Sequence, residues 1–384
     1  MKNAPESSPE SSLEPRGILL IKSRHIGDVL LMAPLVSTLK QRHPASHIAA
    51  LVKPECTPML THHPHLETVL AFPAPQPGQG KAALLWRQLK AWFTLARGTW
   101  DLAINTTEGD RGILNAFFSR AGKRVGFIHP RREKPWRLWL LTDPIPYRGG
   151  KRHMVIHNLE LAGPGLQDRV VRLVPGAEAQ RSALAKLRAT GWDGQRPLVQ
   201  IHPTSRWNFK CWSDTGMAQA ADFFHESGWM PLFTCGPGAE ERARLDAILA
   251  LCRHPSGDLG GGLSLKELAA VSGQCRLYFG VDTAPMHIAA SQNTPVVALF
   301  GPTGVYDWGP WPNGWAGEDT PYGALRGVQR SDPHLVIQKD WACVPCGKAG
   351  CEGSKKSRCL DELDFDREVR PWLAERLERL QRLT

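Results

Sequence analysis

The feature that most constrains the fold is an alternation of short apolar runs with longer amphipathic segments, repeated in two series along the chain. A run such as GILLIK at 17–22 is apolar on both faces, which is typical of a parallel strand covered by helices on both sides. Strands are predicted at 17–22, 47–52, 101–105 and 125–128, and again at 198–202, 230–235, 277–281 and 296–300. Helices are predicted at 28–41, 81–97, 115–120, 178–190, 216–227, 240–251, 264–272, 284–291 and 364–383. This alternation predicts an α/β fold with two doubly wound domains facing each other across a cleft.

The 384 residues are too many for one typical core and suit two domains. The Ser-, Pro- and Glu-rich residues 1–16 are predicted to be a disordered tail. We expect an N-terminal domain at 17–175, a linker region at 176–196, a C-terminal domain at 197–362, and a last helix at 363–384 that packs back toward the N-terminal domain. Residues 1–16 lack the apolar core of a signal peptide, and no apolar run approaches about 20 residues, so a soluble cytosolic protein is expected.

The net charge of +10 is concentrated in one stretch of the N-terminal half. Between Arg120 and Arg152 there are ten lysines and arginines but only two acids. Such a patch indicates an anionic partner, which can be a phosphorylated lipid or glycan, a membrane surface or a nucleic acid. A solvated basic face is the alternative. Nucleic acid is disfavoured, because the stretch lacks a helix-turn-helix, RRM or zinc-finger pattern.

Two loops carry the polar residues that suggest chemistry. The first, KSRHIGD at 22–28, places Asp28 at a predicted helix start, where it is either a helix cap or a general base at the mouth of the cleft. The second, GVDTAPMH at 280–287, has a proline in the first turn of a helix that follows a strand. Free N–H groups at such a start can bind a diphosphate, and the Thr283 hydroxyl and His287 can approach the same anion.

A third loop, HPTSRWNFKCW at 202–212, follows the predicted strand 198–202. Thr204, Ser205 and Lys210 can hold phosphate oxygens there, and a lysine can neutralise a departing diphosphate. A plain surface lysine is the alternative. The chain has no Walker A loop and no GxGxxG after its first strand, which argues against P-loop NTPases and dinucleotide oxidoreductases.

Nine cysteines cannot all pair, which fits a reducing compartment. Four of them, Cys343, Cys346, Cys351 and Cys359, form a dense cluster near the C-terminus. Their spacing is not that of paired zinc-binding CxxC units, so a structural metal is a weak candidate beside reduced thiols.

Three segments together resemble the ADP-heptose:lipopolysaccharide heptosyltransferases, which are GT-B enzymes of glycosyltransferase family 9. They are IKSRHIGDVLLMAPLVSTLKQRHP, VQIHPTSRWNFKCWS and FGVDTAPMHIAASQNTPVVALFGPT, in the family's order and spacing. The resemblance runs from about residue 17 to the C-terminus and implies two Rossmann-like domains. RWNFKCW and the cysteine-rich tail look most like the heptosyltransferase III branch, which adds the third heptose of the inner core.

The resemblance implies a role for each matching residue. Asp28 would be the catalytic base and Lys210 would assist departure of the ADP. The residues expected to bind the donor are Thr204, Ser205, Lys210, Asp282, Thr283, Ala284, Pro285 and His287. We further expect a basic acceptor-binding group at Lys123, Arg124, Arg131, Arg132 and Lys134. His25 stands where relatives often have a small hydroxyl residue, and the sequence has Thr204-Ser205 where relatives commonly have paired threonines.

The predicted activity is an inverting, metal-independent transfer without a cofactor. The donor would be ADP-L-glycero-β-D-manno-heptose, and the acceptor the lipid A–Kdo–heptose core at the inner leaflet of the inner membrane. The protein would then be cytoplasmic and peripherally associated with that membrane. Heptosyltransferase I or II activity, a nucleotide-sugar hydrolase or epimerase on the same fold, and a non-catalytic assembly protein are the alternatives.

Overall fold

The computed structural model describes residues 14–73, 78, 80–107, 109–129, 134–147 and 150–382, and it contains two separate sheets. The first sheet holds β1 (Gly17–Lys22), β2 (His47–Val52), β3 (Thr68–Ala71), β4 (Leu102–Asn105), β5 (Lys123–Ile128) and β6 (Asp143–Pro146). The second holds β7 (Leu198–His202), β8 (Met230–Thr234), β9 (Gly257–Gly260), β10 (Leu277–Val281), β11 (Val296–Phe300), β12 (Gln329–Ser331) and β13 (His334–Gln338). Residues 1–13 of the predicted tail lie outside the described part of the chain.

The strand order of each sheet contains one topological switch point. The first sheet has the order β3-β2-β1-β4-β5-β6, and all its pairs are parallel. The second has the order β12-β13-β11-β10-β7-β8-β9, in which only the β12–β13 pair is antiparallel. The order reverses between β1 and β4 in the first sheet and between β7 and β10 in the second. Ligands of doubly wound sheets bind in the crevice at such points.

Helices cover both sheets. Before β7 they are α1 (Ile26–Leu30), α2 (Ala33–Arg42), α3 (Lys81–Ala96), α4 (Asp110–Phe118), α5 (Pro135–Leu140), α6 (Met154–Glu160) and α7 (Ala177–Ala189). After β7 they are α8 (Asp214–Glu226), α9 (Ala239–Leu251), α10 (Leu265–Gln274), α11 (Ala284–Ser291), α12 (Val305–Trp308), α13 (Arg358–Asp361) and α14 (Arg370–Gln381). Short 3-10 turns lie at Pro54–Met59, Asn208–Lys210 and Cys351–Gly353. No described helix is both long enough and apolar enough to cross a bilayer.

Prolines divide two of the predicted helices. The helix predicted at 28–41 is two helices, because Pro34 cannot donate a backbone hydrogen bond to Leu30 and its ring crowds that carbonyl. The helix predicted from 364 begins as a π-helical turn at Phe365–Val369, and α14 starts only at Arg370, with Pro371 in its first turn. The helix predicted at 115–120 is longer and begins at Asp110.

The last helix lies on the second sheet. Leu373, Leu377 and Leu380 are buried in one apolar core with Val199 and Phe279 of that sheet. The indole N–H of Trp212 also donates to the Leu363 carbonyl oxygen over 2.9 Å. This corrects the expectation that the helix packs toward the N-terminal domain, since its apolar side is buried in the second core. Helix α7, within the predicted linker region, packs against α10. The other predicted domain limits stay predictions.

Candidate functional site

Asp28 lies at the switch point of the first sheet, in the first turn of α1. One carboxylate oxygen, Oδ1, is 3.9 Å from Nζ of Lys22, the last residue of β1, and both side chains are largely buried. Lys22 Nζ also donates to the Thr106 carbonyl oxygen over 2.9 Å, and the Ser23 N–H donates to Thr107 Oγ1 over 2.8 Å. The loops after β1 and β4 are thereby tied together around Asp28.

Lys210 and Asp282 meet at the switch point of the second sheet. Lys210 ends the 3-10 turn after β7, and its Nζ is 2.6 Å from Asp282 Oδ2 in the loop after β10. The two strands approach so closely that a Cβ on Gly280 would lie 2.5 Å from the His202 carbonyl oxygen. Two of the predicted donor-binding residues are thus a largely buried ion pair. Thr283 occupies the N-cap position of α11 without a side-chain capping bond, and Ala284 and Pro285 form the first turn.

The two switch points face each other through the starts of α1 and α11. A Cβ built on Gly27 would lie 3.0 Å from Cδ2 of His287 and 3.8 Å from the Cα of Ala284. At 3.0 Å a Cβ is closer than carbon atoms normally approach, so only glycine fits without a shift. The two loops that the sequence singled out therefore lie together, one from each sheet.

His287 lies where the charges of both loops act. It is buried, and burial lowers the pKa of its imidazole to about 4, with Lys210 adding to that effect and Asp282 and Asp28 opposing it. Within the described residues, no group lies in hydrogen-bonding distance of its Nδ1. At neutral pH the ring is thus uncharged; its Cδ2–Nε2 edge faces Gly27, while the unpartnered Nδ1 is buried.

Glu241 organises a second part of the site and was not identified from the sequence. Its Oε2 accepts hydrogen bonds from the Thr204 hydroxyl over 2.6 Å and from the Gly236 N–H over 3.0 Å. A Cβ on Gly236 would lie 2.4 Å from Oε1, so this glycine admits the carboxylate. Glu241 is a first-turn acid of α9, and such acids are too common at helix starts for the sequence to distinguish it.

Ser205 and His25 lie at the edge of the same region. Ser205 is half-buried, and its Oγ accepts the backbone N–H of Trp207 over 3.3 Å. The charges acting on His25 include Asp28 and Arg206, which places residues of both loops near it. Burial is the main reason that the pKa of His25 is lowered, with Asp28 opposing the shift.

The predicted acceptor-binding group is spread over two edges of the first sheet. Lys123 and Arg124 begin β5, at the edge opposite Asp28, and the Arg124 guanidinium donates to the carbonyl oxygens of Leu140 and Ala121. Lys134 precedes α5 at the carboxyl edge, where its Nζ is 3.3 Å from Asp110 Oδ2. Arg131 and Arg132 lie outside the described residues.

The cysteine cluster remains a set of thiols. Cys343 and Cys346 are exposed, Cys351 is half-buried and Cys359 is buried. Burial raises the pKa of the Cys359 thiol to about 12, and the other three cysteines add to the shift. Across the described ranges, no group of three or more His, Cys, Asp or Glu side chains is arranged to hold a metal ion. The metal site at these four cysteines stays a prediction.

Comparison with protein-family models matches residues 88–317 to glycosyltransferase family 9 (heptosyltransferase). Lipopolysaccharide heptosyltransferase 3 of Escherichia coli K12 is 30% identical over 322 residues, which cover 82% of this chain and 92% of that protein. The family-model match includes strands of both sheets and the loops at 202–212 and 280–287, whereas the loop at 22–28 lies before it.

Two solved structures share the fold. A family 9 glycosyl transferase from Veillonella parvula aligns with a TM-score of 0.76 at 19% identity, over 96% of this chain and 98% of its own. The ADP-heptose lipopolysaccharide heptosyltransferase II of E. coli aligns with a TM-score of 0.68 at 19% identity, over 95% and 98%. The fold is thus the GT-B arrangement of two Rossmann-like domains, as the sequence predicted.

Proposed function

Because the chain belongs to glycosyltransferase family 9, the heptosyltransferases, we propose that it transfers L-glycero-D-manno-heptose from ADP-heptose to the lipopolysaccharide inner core. The observation that carries the proposal is the meeting of two switch points, with Asp28 on one side and the Lys210–Asp282 pair on the other. The 30% identity to a heptosyltransferase 3 supports addition of the third heptose, to the second heptose of the core.

Asp28 is the general base in this proposal. It accepts the proton of an acceptor hydroxyl while that oxygen attacks the anomeric carbon of the donor from the face opposite ADP. The bond between the anomeric carbon and the phosphate oxygen breaks, and the configuration inverts. Lys22 beside Asp28 balances the carboxylate charge in a largely buried setting. A positioned base of this kind contributes about 10²–10⁴-fold to the rate.

Lys210 and the start of α11 stabilise the departing ADP. A lysine ammonium has three donors, so Lys210 can contact a phosphate oxygen and keep its bond to Asp282. Thr283 adds a hydroxyl, His287 adds an uncharged ring at the same helix start, and the α11 start adds positive potential. Thr204 and Ser205 complete the donor site, with Glu241 positioning Thr204. This fixed cation supports transfer that needs no metal ion.

The acceptor would approach from the first sheet. Lys134 at the carboxyl edge is placed to contact its phosphates or carboxylates, whereas Lys123 and Arg124 would act through longer-range attraction. Arg131 and Arg132 belong to the same basic stretch of the sequence. A lipid-anchored acceptor implies peripheral association with the inner membrane, which forms part of this proposal.

The test is transfer from ADP-heptose to purified cores carrying zero, one or two heptoses, followed by mass spectrometry with and without EDTA. We expect one added heptose only on the core that has two, with no effect of EDTA. Asp28→Asn should reduce the product at least 100-fold with ADP binding intact.

Other outcomes identify the alternatives. Product on a core with zero or one heptose would mean heptosyltransferase I or II activity. ADP release without glycan product would indicate a hydrolase, and donor binding without turnover would indicate an assembly protein. An Asp28→Asn variant as active as wild type would show that Asp28 is not the general base.

A further inference from the structure

Large apolar side chains are exposed on one side of the first sheet. Twelve such side chains are exposed in the described part of the chain, and seven of them lie on three successive helices, α3, α4 and α5. The seven are Leu85, Trp86, Leu89, Phe93, Phe117, Leu138 and Trp139, which we call the α3–α5 face. Trp86 is 71% exposed and Trp139 is 83% exposed. Contiguous apolar surface of this kind marks an interaction site on a soluble protein.

Helix α3 is apolar on two sides, of which only one is used by the core. Trp92 donates from its indole N–H to Asn115 Oδ1 over 2.8 Å and stacks on Phe118, while Leu95 is buried. Leu85, Trp86, Leu89 and Phe93 fall within an adjoining arc of about 100° that the core leaves exposed. Arg87 and Lys90 give α3 a polar side as well, so the exposed arc is apolar surface beyond what the core uses, and such surface marks an interaction site.

Chain topology makes the three helices one layer. Helices α3, α4 and α5 link β3 to β4, β4 to β5 and β5 to β6, and each step moves in the same direction across the sheet. Right-handed crossovers therefore place all three on the same side, opposite α1 and α2. Contacts of α3 with α4 and of α4 with α5 agree with this. The exposed residues thus belong to one surface.

The charge around this surface is positive. Residues 81–141 contain twelve lysines and arginines but four acids, and α3 has no acid at all. Arginines lie beside the rings, with the Arg97 guanidinium carbon 4.3 Å from the Phe93 ring centre and that of Arg124 6.0 Å from the Phe117 ring centre. Tryptophans with flanking arginine and lysine are typical of surfaces that lie in the interface of an anionic bilayer.

We propose that the α3–α5 face docks on the surface of an anionic lipid bilayer, with Trp86, Phe93 and Trp139 inserted among the headgroups. A second copy of the chain is the less favoured occupant, because a two-fold contact would set this basic surface against itself. The inference rests on the proposed function, because docking on the membrane would bring the cleft to a lipid-anchored acceptor. Lys134 at the start of α5 lies where this face meets the carboxyl edge of the sheet.

The test is sedimentation of the full chain with vesicles of phosphatidylethanolamine and phosphatidylglycerol, compared with phosphatidylcholine vesicles. The wild type should bind the anionic vesicles and be released by high salt. The double variant Trp86→Glu/Phe93→Glu should bind at least tenfold more weakly, and Trp139→Glu should also weaken binding. Leu251→Glu is the matched control, because Leu251 is 50% exposed on α9 of the other domain. If the charged variants fail to fold, the uncharged double variant Trp86→Gln/Phe93→Gln takes their place in the same assay.

Vesicle binding needs no sugar donor, so the result is separate from the test of heptosyl transfer. Transfer to a water-soluble, deacylated core should be equal in wild type and double variant, whereas transfer to a core held in vesicles should fall in the variant. Equal vesicle binding by the double variant and the wild type would overturn the proposal. Absence of wild-type binding would do so too, and a dimer that the double variant dissociates in light scattering would assign the face to a second copy.

Discussion

At the scale of single residues, Lys210 has two roles, and one substitution at this position tests both. It balances the largely buried charge of Asp282, and in the proposed reaction it stabilises the departing diphosphate. We expect Lys210→Met to reduce transfer at least 100-fold and to weaken ADP binding, since such electrostatic contacts contribute about 10²–10³-fold to turnover. Turnover assays and titration calorimetry with ADP measure the two effects.

Lys339→Met is the control for that experiment. Lys339 is another little-exposed lysine of the same domain, and its Nζ is 2.5 Å from Glu368 Oε2, away from the site. It should change stability but neither ADP affinity nor turnover. Wild-type ADP binding by Lys210→Met would show that the lysine only neutralises Asp282.

Gly27 allows a prediction in which activity and stability move apart. A methyl group at this position would press on the His287 ring at 3.0 Å, whereas alanine favours helical backbone over glycine and so offsets the strain of that contact, by less than the about 1 kcal/mol of a helix interior because Gly27 lies in the first turn of α1. We expect Gly27→Ala to lower transfer about tenfold or more by displacing the two loops, with no loss of melting temperature. Gly273→Ala in α10 is the control, since its Cβ would meet only ordinary contacts at 3.8 Å. Full activity in Gly27→Ala would mean that the contact is not needed for turnover.

The sequence could predict some residues of the site and not others. Asp28, Lys210 and Asp282 stand in loops after apolar runs, so their place at the carboxyl edges follows from the pattern. Lys22 and Glu241 were missed because one looked like a strand residue and the other like an ordinary first-turn acid of a helix. Lys22 lies in the same loop motif as Asp28, but its side chain could as well have pointed away from the carboxylate; Thr204 is 37 residues from Glu241, a pairing that no local pattern contains.

At the scale of elements, α10 is held by a reciprocal cap and a tie to α7. The Ser264 hydroxyl accepts the Glu267 N–H over 3.2 Å, and Glu267 Oε2 accepts the Ser264 N–H over 2.7 Å. Glu267 also forms an ion pair with Lys186 of α7 over 2.7 Å. We expect Ser264→Ala to lower the free energy of unfolding by about 1 kcal/mol, as measured in urea.

Ser354→Ala is the matched comparison for the cap, because Ser354 is an exposed serine of a short turn and caps no α-helix. Its effect should stay within about 0.5 kcal/mol. If the two variants unfold at the same urea concentration, the cap contributes nothing measurable and the tie to α7 must hold the helix start.

Element types were easier to predict than element limits. The buried strands of both sheets stood out because they are continuous apolar runs, whereas β9, with the sequence GDLG, carries almost no strand signal. The break at Pro34 follows from proline geometry and was overlooked because the apolar spacing continues through it. The exposed side of α3 could not be predicted, since periodicity does not tell which apolar side meets the sheet.

At the scale of the whole molecule, buried neutral histidines make stability depend on pH. Burial lowers the pKa of His63 and His287 to about 4 and that of His153, His202 and His334 to about 3. The unfolded chain takes up these protons near pH 6.5 and the folded chain does not, so stability falls as the pH drops from about 6.5 toward 4. Each histidine adds at most about 1.4 kcal/mol per pH unit.

Urea unfolding at pH 8, 7, 6 and 5 measures this dependence. Stability should be nearly constant above pH 7.5 as far as these groups are concerned and should fall steeply below pH 6.5. His334→Gln should reduce the slope, because one of the five groups is then gone. An unfolding midpoint that does not move between pH 7 and pH 5 would contradict the burial of these rings.

The contact between Gly27 and His287 also has an evolutionary consequence. Each half of the molecule contributes one side of it, and neither half holds both the proposed base, Asp28, and the lysine proposed to bind the diphosphate, Lys210. With the acceptor on the first sheet, as proposed above, we expect that recombination between family members can exchange a whole half, and with it the choice of acceptor, while the chemistry is inherited unchanged. A chimera made in this way must preserve only a small contact, namely a glycine at the start of one helix and a histidine ring at the start of the other.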